Sequence, residues 1–311
     1  MVKRYPREAF TITDKLTMFM LDKPEEMSGF FAGQLERLGV DFIDYYWLHG
    51  LEPAAYAKAE DFHAFEFVQG LKNEGKVKHL GFSFHGDAKL LEEILTKHPE
   101  MEYVQLQLNY LDWEDAQIQS RLCYEVATKH GKPVIVLEPV KGGALATIPE
   151  QAAQLLYDYH PDQSAASWAV RFAASPENVM VVLSGMSNEA QMADNVGYMK
   201  DFAPLSADEE AVIDKAKTII QNAIAIPCTA CRYCVDGCPQ HIAIPDCFGL
   251  YNDLHRFGPS QLGNVRHRYG NLIKKNGKAS DCIACGTCES RCPQHLTIRQ
   301  YLKDVAAALE A

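Results

Sequence analysis

Eight of the ten cysteines sit in two short runs, CTACRYCVDGCPQHIAI starting at Cys228 and CIACGTCESRCPQHLTI starting at Cys282. Cys228, Cys231, Cys234 and Cys238 follow the spacing C-x2-C-x2-C-x3-C, closed by Pro239; Cys282, Cys285, Cys288 and Cys292 repeat it, closed by Pro293. The runs share a Cys-x-Ala-Cys frame, a Cys-Pro-Gln-His exit and an isoleucine at one offset, which marks an internal duplication. Spacing this tight lets three thiolates of one loop each hold one iron of a cuboidal 4Fe-4S cluster, while the proline turns the chain away and the fourth cysteine reaches elsewhere. Structural zinc also uses C-x2-C pairs, but it takes four ligands per ion and seldom a third cysteine at the next x2 step. The pattern predicts two 4Fe-4S clusters, with zinc as the alternative.

The same spacing occurs in bacterial ferredoxins, where the last cysteine of each motif ligates the other cluster. On that rule Cys228, Cys231 and Cys234 share a cluster with Cys292, and Cys282, Cys285 and Cys288 share one with Cys238. The 43 residues between Cys238 and Cys282 exceed the separation in a minimal ferredoxin. His241 and His295 recur in both exits, where the cysteines already fill the ligand count, and read as turn or capping residues. Cys123 and Cys247 stand outside the motifs; Cys123 lies in a helical pattern and reads as a small buried hydrophobe.

The segment around these cysteines is punctuated by glycine and proline and has few long apolar runs, so it is expected to lean on bound metal for stability. The preceding two thirds of the chain alternate short β-branched or aromatic runs with helical stretches, the pattern of parallel strands joined by crossover helices. Six strand-like runs stand out, at 10–15, 41–50, 79–84, 104–109, 133–139 and 178–185. Between them, KPEEMSGFFAGQLERLG has early acidic residues, an apolar stripe and a glycine where a helix should stop, and the segments ending LKNEGK and ATKHGK repeat that stop. Ser206 and Glu209 form a capping box that opens a helix to about residue 222. Composition changes at AIAIP, which sets the expected domains at 1–223 and 224–311.

The 311 residues, 47% of them hydrophobic, suffice for one large domain and a small appendage. A net charge of −11 without a dense basic block disfavours nucleic acid and anionic lipid. Neither a signal peptide nor an apolar run of about 18 residues is present. Clustered cysteines in such a chain favour a reduced compartment and metal over disulfides, and the expectation is a cytoplasmic protein.

Polar residues gather at the C-terminal ends of the expected strands: Lys15, His49, Ser83 with His85, Asn109, Glu138 and Ser184. In a barrel of parallel strands that end is where active sites are built. FTITDKL, DYYWLHGL, KVKHLGFSFHG, EPVKGGAL and LSGMSNEAQMADN occur in this order, and the chain resembles the aldo/keto reductase family, in particular the branch with a C-terminal ferredoxin-like extension. The resemblance spans almost the whole chain. It implies a (β/α)8 TIM-type barrel lacking its first two βα units, hence about six strands, plus a small, mainly helical 4Fe-4S dicluster domain.

In that family a hydride from NAD(P)H goes to a carbonyl carbon while a tyrosine, its pKa lowered by a lysine, protonates the oxygen. A histidine orients the carbonyl, and an aspartate supports the lysine. The resemblance implies that Lys15 is the lysine and His49 the histidine, that Ser83 and Gln105 hold the nicotinamide, that Gly142 and Gly143 approach the pyrophosphate, and that Gly185, Ser187, Gln191 and Asn195 meet the adenosine end. GMSNEAQ offers no arginine or lysine for a 2'-phosphate, which mildly favours NADH over NADPH. Trp113 and Phe84 are apolar pocket walls or core.

The family's aspartate and tyrosine lie after its second strand, and this chain begins at what resembles the third. None of the fourteen tyrosines takes that place by motif; Tyr45 and Tyr46 lie within a strand beside His49, and Tyr110 follows the fourth run. Six strands leave two long edges that proteins normally pair or cover. The chain is a fragment of a longer product, or a partner chain completes the barrel, or the strands pair differently; MVKRYPREAF resembles the family's link into the third strand and favours the first. The resulting expectation is an iron-sulfur oxidoreductase acting on a small carbonyl or alcohol, with a redox partner protein and an oligomer that covers the edges. The alternative is an electron-transfer or docking protein on a catalytically incomplete barrel.

Overall fold

The computed structural model describes residues 4–116, 118–292 and 294–311; Pro293, which closes the second cysteine motif, lies outside the described residues. Six strands form one parallel sheet in chain order: β1 (Thr13–Leu16), β2 (Ile43–Leu51), β3 (Val77–Phe84), β4 (Tyr103–Gln107), β5 (Val134–Leu137) and β6 (Val179–Val182). Each strand-like run becomes one strand. Between them run α1 (Glu26–Leu38), α2 (Pro53–Asp61), α3 (Ala64–Asn73), α4 (Ala88–Lys97), α5 (Ser120–Lys129), α6 (Glu150–Tyr159) and α7 (Ala165–Ala174), and α8 (Glu189–Lys200) and α9 (Ala207–Asn222) follow β6. Parallel neighbours joined by helices are the winding of a (β/α) barrel, here with six strands. The sheet is not closed: among the described residues β1 and β6 have one strand neighbour each.

The chain divides into two compact units, residues 1–139 with 170–204, and residues 140–169 with 205–311. In the first, glycines end the helices as expected. Gly39 adopts φ 66° and donates its N–H to Leu35 O at 2.8 Å, and Gly75 and Gly131 repeat the left-handed stop at φ 74° and 64°. One face of the sheet packs on helices: Tyr46 lies edge-on to Phe31 of α1 with ring centroids 5.1 Å apart and donates its hydroxyl to Gln34 Oε1 at 2.7 Å.

The other face is ordered by the strand register. Lys15 pairs with Trp47, Trp47 with Gly81 and Gly81 with Tyr103, so four residues form one rung across β1 to β4. Parallel partners share a face, and every second residue returns to it, so His49, Ser83 and Gln105 lie on the same face one step further up. Lys15 Nζ lies 5.1 Å from the Trp47 ring centroid, Trp47 and Tyr103 meet edge-on at 5.8 Å, and the Tyr103 hydroxyl donates to Tyr46 O at 3.2 Å. At the far edge both faces of the sheet are exposed: Met180 and Val181 of β6, which point to opposite faces, are each 42% exposed, and α8 has no buried residue.

In the second unit α6 packs against α9, whose first turn carries the Ser206–Glu209 capping box in full. The cysteine-bearing part is mainly helical, with α10 (Ile244–Phe257), α11 (Leu262–Leu272), α12 (Thr287–Ser290) and α13 (Ile298–Leu309). The duplicated isoleucines, Ile244 and Ile298, are the buried first residues of α10 and α13, so the repeat extends from sequence into structure. Among the described residues no helix is long and apolar enough to cross a membrane.

A Cβ on Gly81 would lie 2.4 Å from the Tyr103 ring, which Trp47 and the Tyr46 carbonyl hold in place. Gly81→Ala is therefore expected to lower stability by about 1–3 kcal/mol, the cost of overpacking, read as a shifted urea midpoint with an unchanged slope.

Candidate functional site

The two cysteine motifs enclose two chambers. One is lined by Cys228, Cys231, Cys234 and Cys292, the other by Cys282, Cys285, Cys288 and Cys238. Three sulfurs thus come from one copy and the fourth from the other. The loops are bent by left-handed residues at equivalent positions: Ala230 and Arg232 in the first copy at φ 53° and 64°, Ala284 and Gly286 in the second at 57° and 81°. Successive turns of this kind also present backbone N–H groups to anions, which suits thiolate-bound clusters.

His241 and His295 both adopt φ 51° and donate their N–H to the carbonyls of Cys238 and Cys292, each at 3.0 Å. They are turn residues, as their position in the exits suggested. A close backbone contact fixes the first exit: Gly277 donates its N–H to His241 O at 3.1 Å, and a Cβ there would sit 2.1 Å from Gln240 O.

These donors fit an iron-sulfur cluster. Among the described residues no three His, Cys, Asp or Glu side chains converge on a single ion position. The sulfurs instead surround a space, so that each could hold a different iron. Burial pushes the Cys234 thiol up to about 11, with Cys228 and Cys231 adding to the effect, and burial raises Cys228 and Cys288 as well. Metal loading must therefore displace protons. Cys123 and Cys247 lie in α5 and α10, both raised to about 12 by burial, as inert core thiols are.

In the first unit, a pocket of about 600 Å3 opens at the strand ends, lined by His49, His85, Phe19, Glu52 and Lys58 among others. That volume suits a small ligand. His49 Nδ1 lies 3.1 Å from Thr17 Oγ1, and its ring is 5.6 Å from that of Phe19. Burial depresses the pKa of His49, and the charges of Lys15 and His85 lower it further. His85 is lowered by burial, which outweighs the opposing pull of Glu138. Burial also lowers Lys15, against the attraction of Asp14. The charge of Lys15 thus bears on both histidines, and that of His85 on His49.

Ser83 is 1% exposed and accepts the Gly50 N–H at 2.7 Å; its strand partner Gln105 is equally buried. Gly185 lies in the link from β6 to α8. Beyond it, Gln191 Oε1 accepts the Ser187 N–H at 2.7 Å, and Asn195 Nδ2 donates to Ser184 Oγ at 2.7 Å. Gly142 and Gly143 form a left-handed turn at φ 62° and 90° within the second unit, where a Cβ on Gly142 would meet Asn264 Nδ2 at 3.1 Å. Asn109 is turned to loop building: its Oδ1 accepts the N–H groups of Leu111 and Asp112, and its Nδ2 donates to Asp112 Oδ2 at 2.7 Å.

Thr17, Phe19 and Arg299 were not singled out by sequence. Thr17 and Phe19 follow β1 in a stretch without a motif, and Arg299, which lines the second cysteine chamber, is an ordinary helical arginine until the fold brings it there. Trp113 and Phe84 both pack with the main core. No tyrosine is among the described residues that line the strand-end pocket. Tyr45 stacks on His79 at 4.8 Å, Tyr46 faces α1, and Tyr110 is buried.

A family model described as the aldo/keto reductase family matches residues 1–218, and one for the 4Fe-4S dicluster domain matches residues 227–297. The chain belongs to the aldo/keto reductase family, a family of oxidoreductases, and carries a 4Fe-4S dicluster domain after it. A curated relative, aldo-keto reductase str7 of Strobilurus tenacellus, is 35% identical over 118 residues, 37% of this chain and 32% of that protein, so the chain matches about a third of its length. Among solved structures, the holo form of an aldo-keto reductase from Bacillus halodurans superposes with a TM-score of 0.56 at 23% identity, covering 68% of this chain and 74% of that one. An aldo/keto reductase from Klebsiella pneumoniae, solved in complex with NADP and acetate, gives 0.52 at 18% identity, covering 67% and 70%. At these identities the structures show a shared fold.

The lowered histidines carry a pH dependence. A base whose folded pKa is depressed is protonated first in the unfolded chain, so stability is fully present above the ordinary value of about 6.5 and falls as pH drops through it. His49 and His85 should titrate below that value by NMR, and His49→Gln should flatten the loss of stability on acidification, measured by denaturant melts between about pH 5 and 7.

Proposed function

We propose that this chain is an iron-sulfur oxidoreductase of aldo/keto reductase type, in which NAD(P)H-linked interconversion of a small carbonyl and its alcohol is coupled to electron transfer through two 4Fe-4S clusters. The observation that carries the reading is the exchange of the fourth cysteine between the duplicated loops, which supports two neighbouring clusters. Cys228, Cys231, Cys234 and Cys292 would hold one, and Cys282, Cys285, Cys288 and Cys238 the other; bound clusters carry single electrons. Residues 1–223 serve as the reductase part and 224–311 as the electron-transfer part.

In the reductase part, neutral His49 can orient a carbonyl oxygen by a hydrogen bond, and the Lys15 ammonium can stabilise negative charge as it develops there. Ser83 and Gln105 are assigned to the nicotinamide, Gly142 and Gly143 to the pyrophosphate, and Gly185, Ser187, Gln191 and Asn195 to the adenosine end. The exposed apolar side chains of β6 support a further assignment, that a partner or a second copy covers this edge. The cytoplasm, with its reduced thiols, suits the clustered cysteines.

A second reading, an electron-transfer or docking protein with a barrel that does not reduce carbonyls, is favoured by the lack of a tyrosine in the described lining of the strand-end pocket. Anaerobic purification with iron and sulfide assays, beside NADH and NADPH titrations followed by nicotinamide fluorescence, separates the two. About eight irons per chain with saturable nucleotide binding are expected; full iron without nucleotide binding would establish the second reading. The cysteine exchange has its own test. Cys292→Ser combined with Cys228→Ser should cost no more iron than either alone, because both lesions fall in one chamber, whereas Cys292→Ser with Cys282→Ser should strip both.

A further inference from the structure

The two edges of the parallel sheet are not equivalent. In β1 the carbonyl of Ile12 faces β2, where it accepts the N–H of Tyr45 at 3.1 Å. Backbone groups alternate in direction along a strand, so those of Lys15, three residues on, face the outer edge. Both are already taken: the Lys15 N–H donates to Asp14 Oδ1 at 2.8 Å, and its carbonyl accepts from Gln34 Nε2 at 2.8 Å. Gln34 is buried and is itself held by the Tyr46 hydroxyl, so a strand added at β1 would have to displace a core side chain. In a strand of only four residues this closes the edge.

The β6 edge has no such closure. Among the described residues no side chain bonds the backbone of Val179–Val182, and β5 is their one strand neighbour. Met180, Val181, Leu183 and Met186 are exposed along β6 and its link to α8, and Met192 and Val196 continue the apolar surface one turn apart on α8. The bond from Asn195 to Ser184 ties that helix to the end of β6. Residues 178–188 carry no charged side chain, although the whole chain has a net charge of −11.

We infer that β6 pairs with β6 of a second copy of this chain, antiparallel about a two-fold axis, with Met192 and Val196 of the two α8 helices adding apolar contact. The inference deepens, and rests on, the assignment above that a partner or a second copy covers this edge. One open edge per molecule decides the symmetry. Head-to-tail stacking of β6 on β1 needs two open edges, whereas a two-fold contact needs one and closes at two copies. The uncharged seam decides the occupant, because here alike acidic chains meet without placing like charges opposite each other.

The test is light scattering on the full chain, purified anaerobically and assayed for iron on the same sample, over about 1–50 μM protein. A mass of twice 34.8 kDa is expected at the upper end. Met180→Lys, which charges the edge, and the pair Met192→Glu with Val196→Glu should each raise the dimer dissociation constant by about tenfold or more. Since α8 has no buried residue, the paired variant should keep the circular dichroism of the parent. Met20→Lys, exposed after β1, should leave the dimer intact. A monomer throughout, or an assembly that the β6 and α8 variants leave unchanged, overturns the inference, as does a dimer lost only in Met20→Lys. Co-purification with a different protein in fixed ratio, abolished by Met180→Lys, overturns self-pairing in favour of that partner. Iron content is read independently: an iron-replete monomer overturns the dimer and leaves the cluster reading standing, and an iron-poor dimer does the reverse.

Discussion

One rung of the parallel sheet, Lys15, Trp47, Gly81 and Tyr103, sets the geometry of the first unit. Because the side-chain period of a strand is two, a slip of one residue in any of these pairings would turn the polar set to the helix-facing side and the aliphatic set inward. The rung resists such a slip by size. Gly81 leaves the space that the Tyr103 ring fills, Tyr103 abuts Trp47, and Trp47 carries Lys15 on its face. Above this filled interior His49 and His85 line the strand-end pocket, where partial burial disfavours their charged form.

The second unit solves a different problem with the same economy of parts. Its buried core is modest, built around Phe248, Val265, Leu302 and Val305, and includes the sulfurs of Cys234 and Cys288. The cysteines are therefore part of the packing as well as candidate ligands. The left-handed position that glycine fills in the second loop is occupied by Arg232 in the first, where its side chain pairs with Asp246 at 3.1 Å and so ties the loop to α10.

Much of this was readable from sequence because it depends on local rules. The strands followed from β-branched runs, the helix ends from Gly39, Gly75 and Gly131, the α9 start from Ser206 and Glu209, and the grouping of cysteines around each chamber from one spacing rule applied twice. What escaped depends on contacts between residues far apart in the chain. Asn109 sits at a strand end like Lys15 and His49, yet its amide is taken up by its own loop, and nothing in a linear pattern separates the two outcomes. Arg299 likewise gains meaning only when α13 returns beside a cysteine loop that precedes it in the chain.

The exchange of the fourth cysteine also imposes an order on biogenesis. As the chain leaves the ribosome, the first loop presents three sulfurs whose chamber has no fourth wall until Cys292 has been made and α11 and α13 have folded back. Neither chamber can be walled by one copy alone, so each four-sulfur lining forms only when both halves of the repeat have folded together. The repeat thus acts as an interlock on assembly.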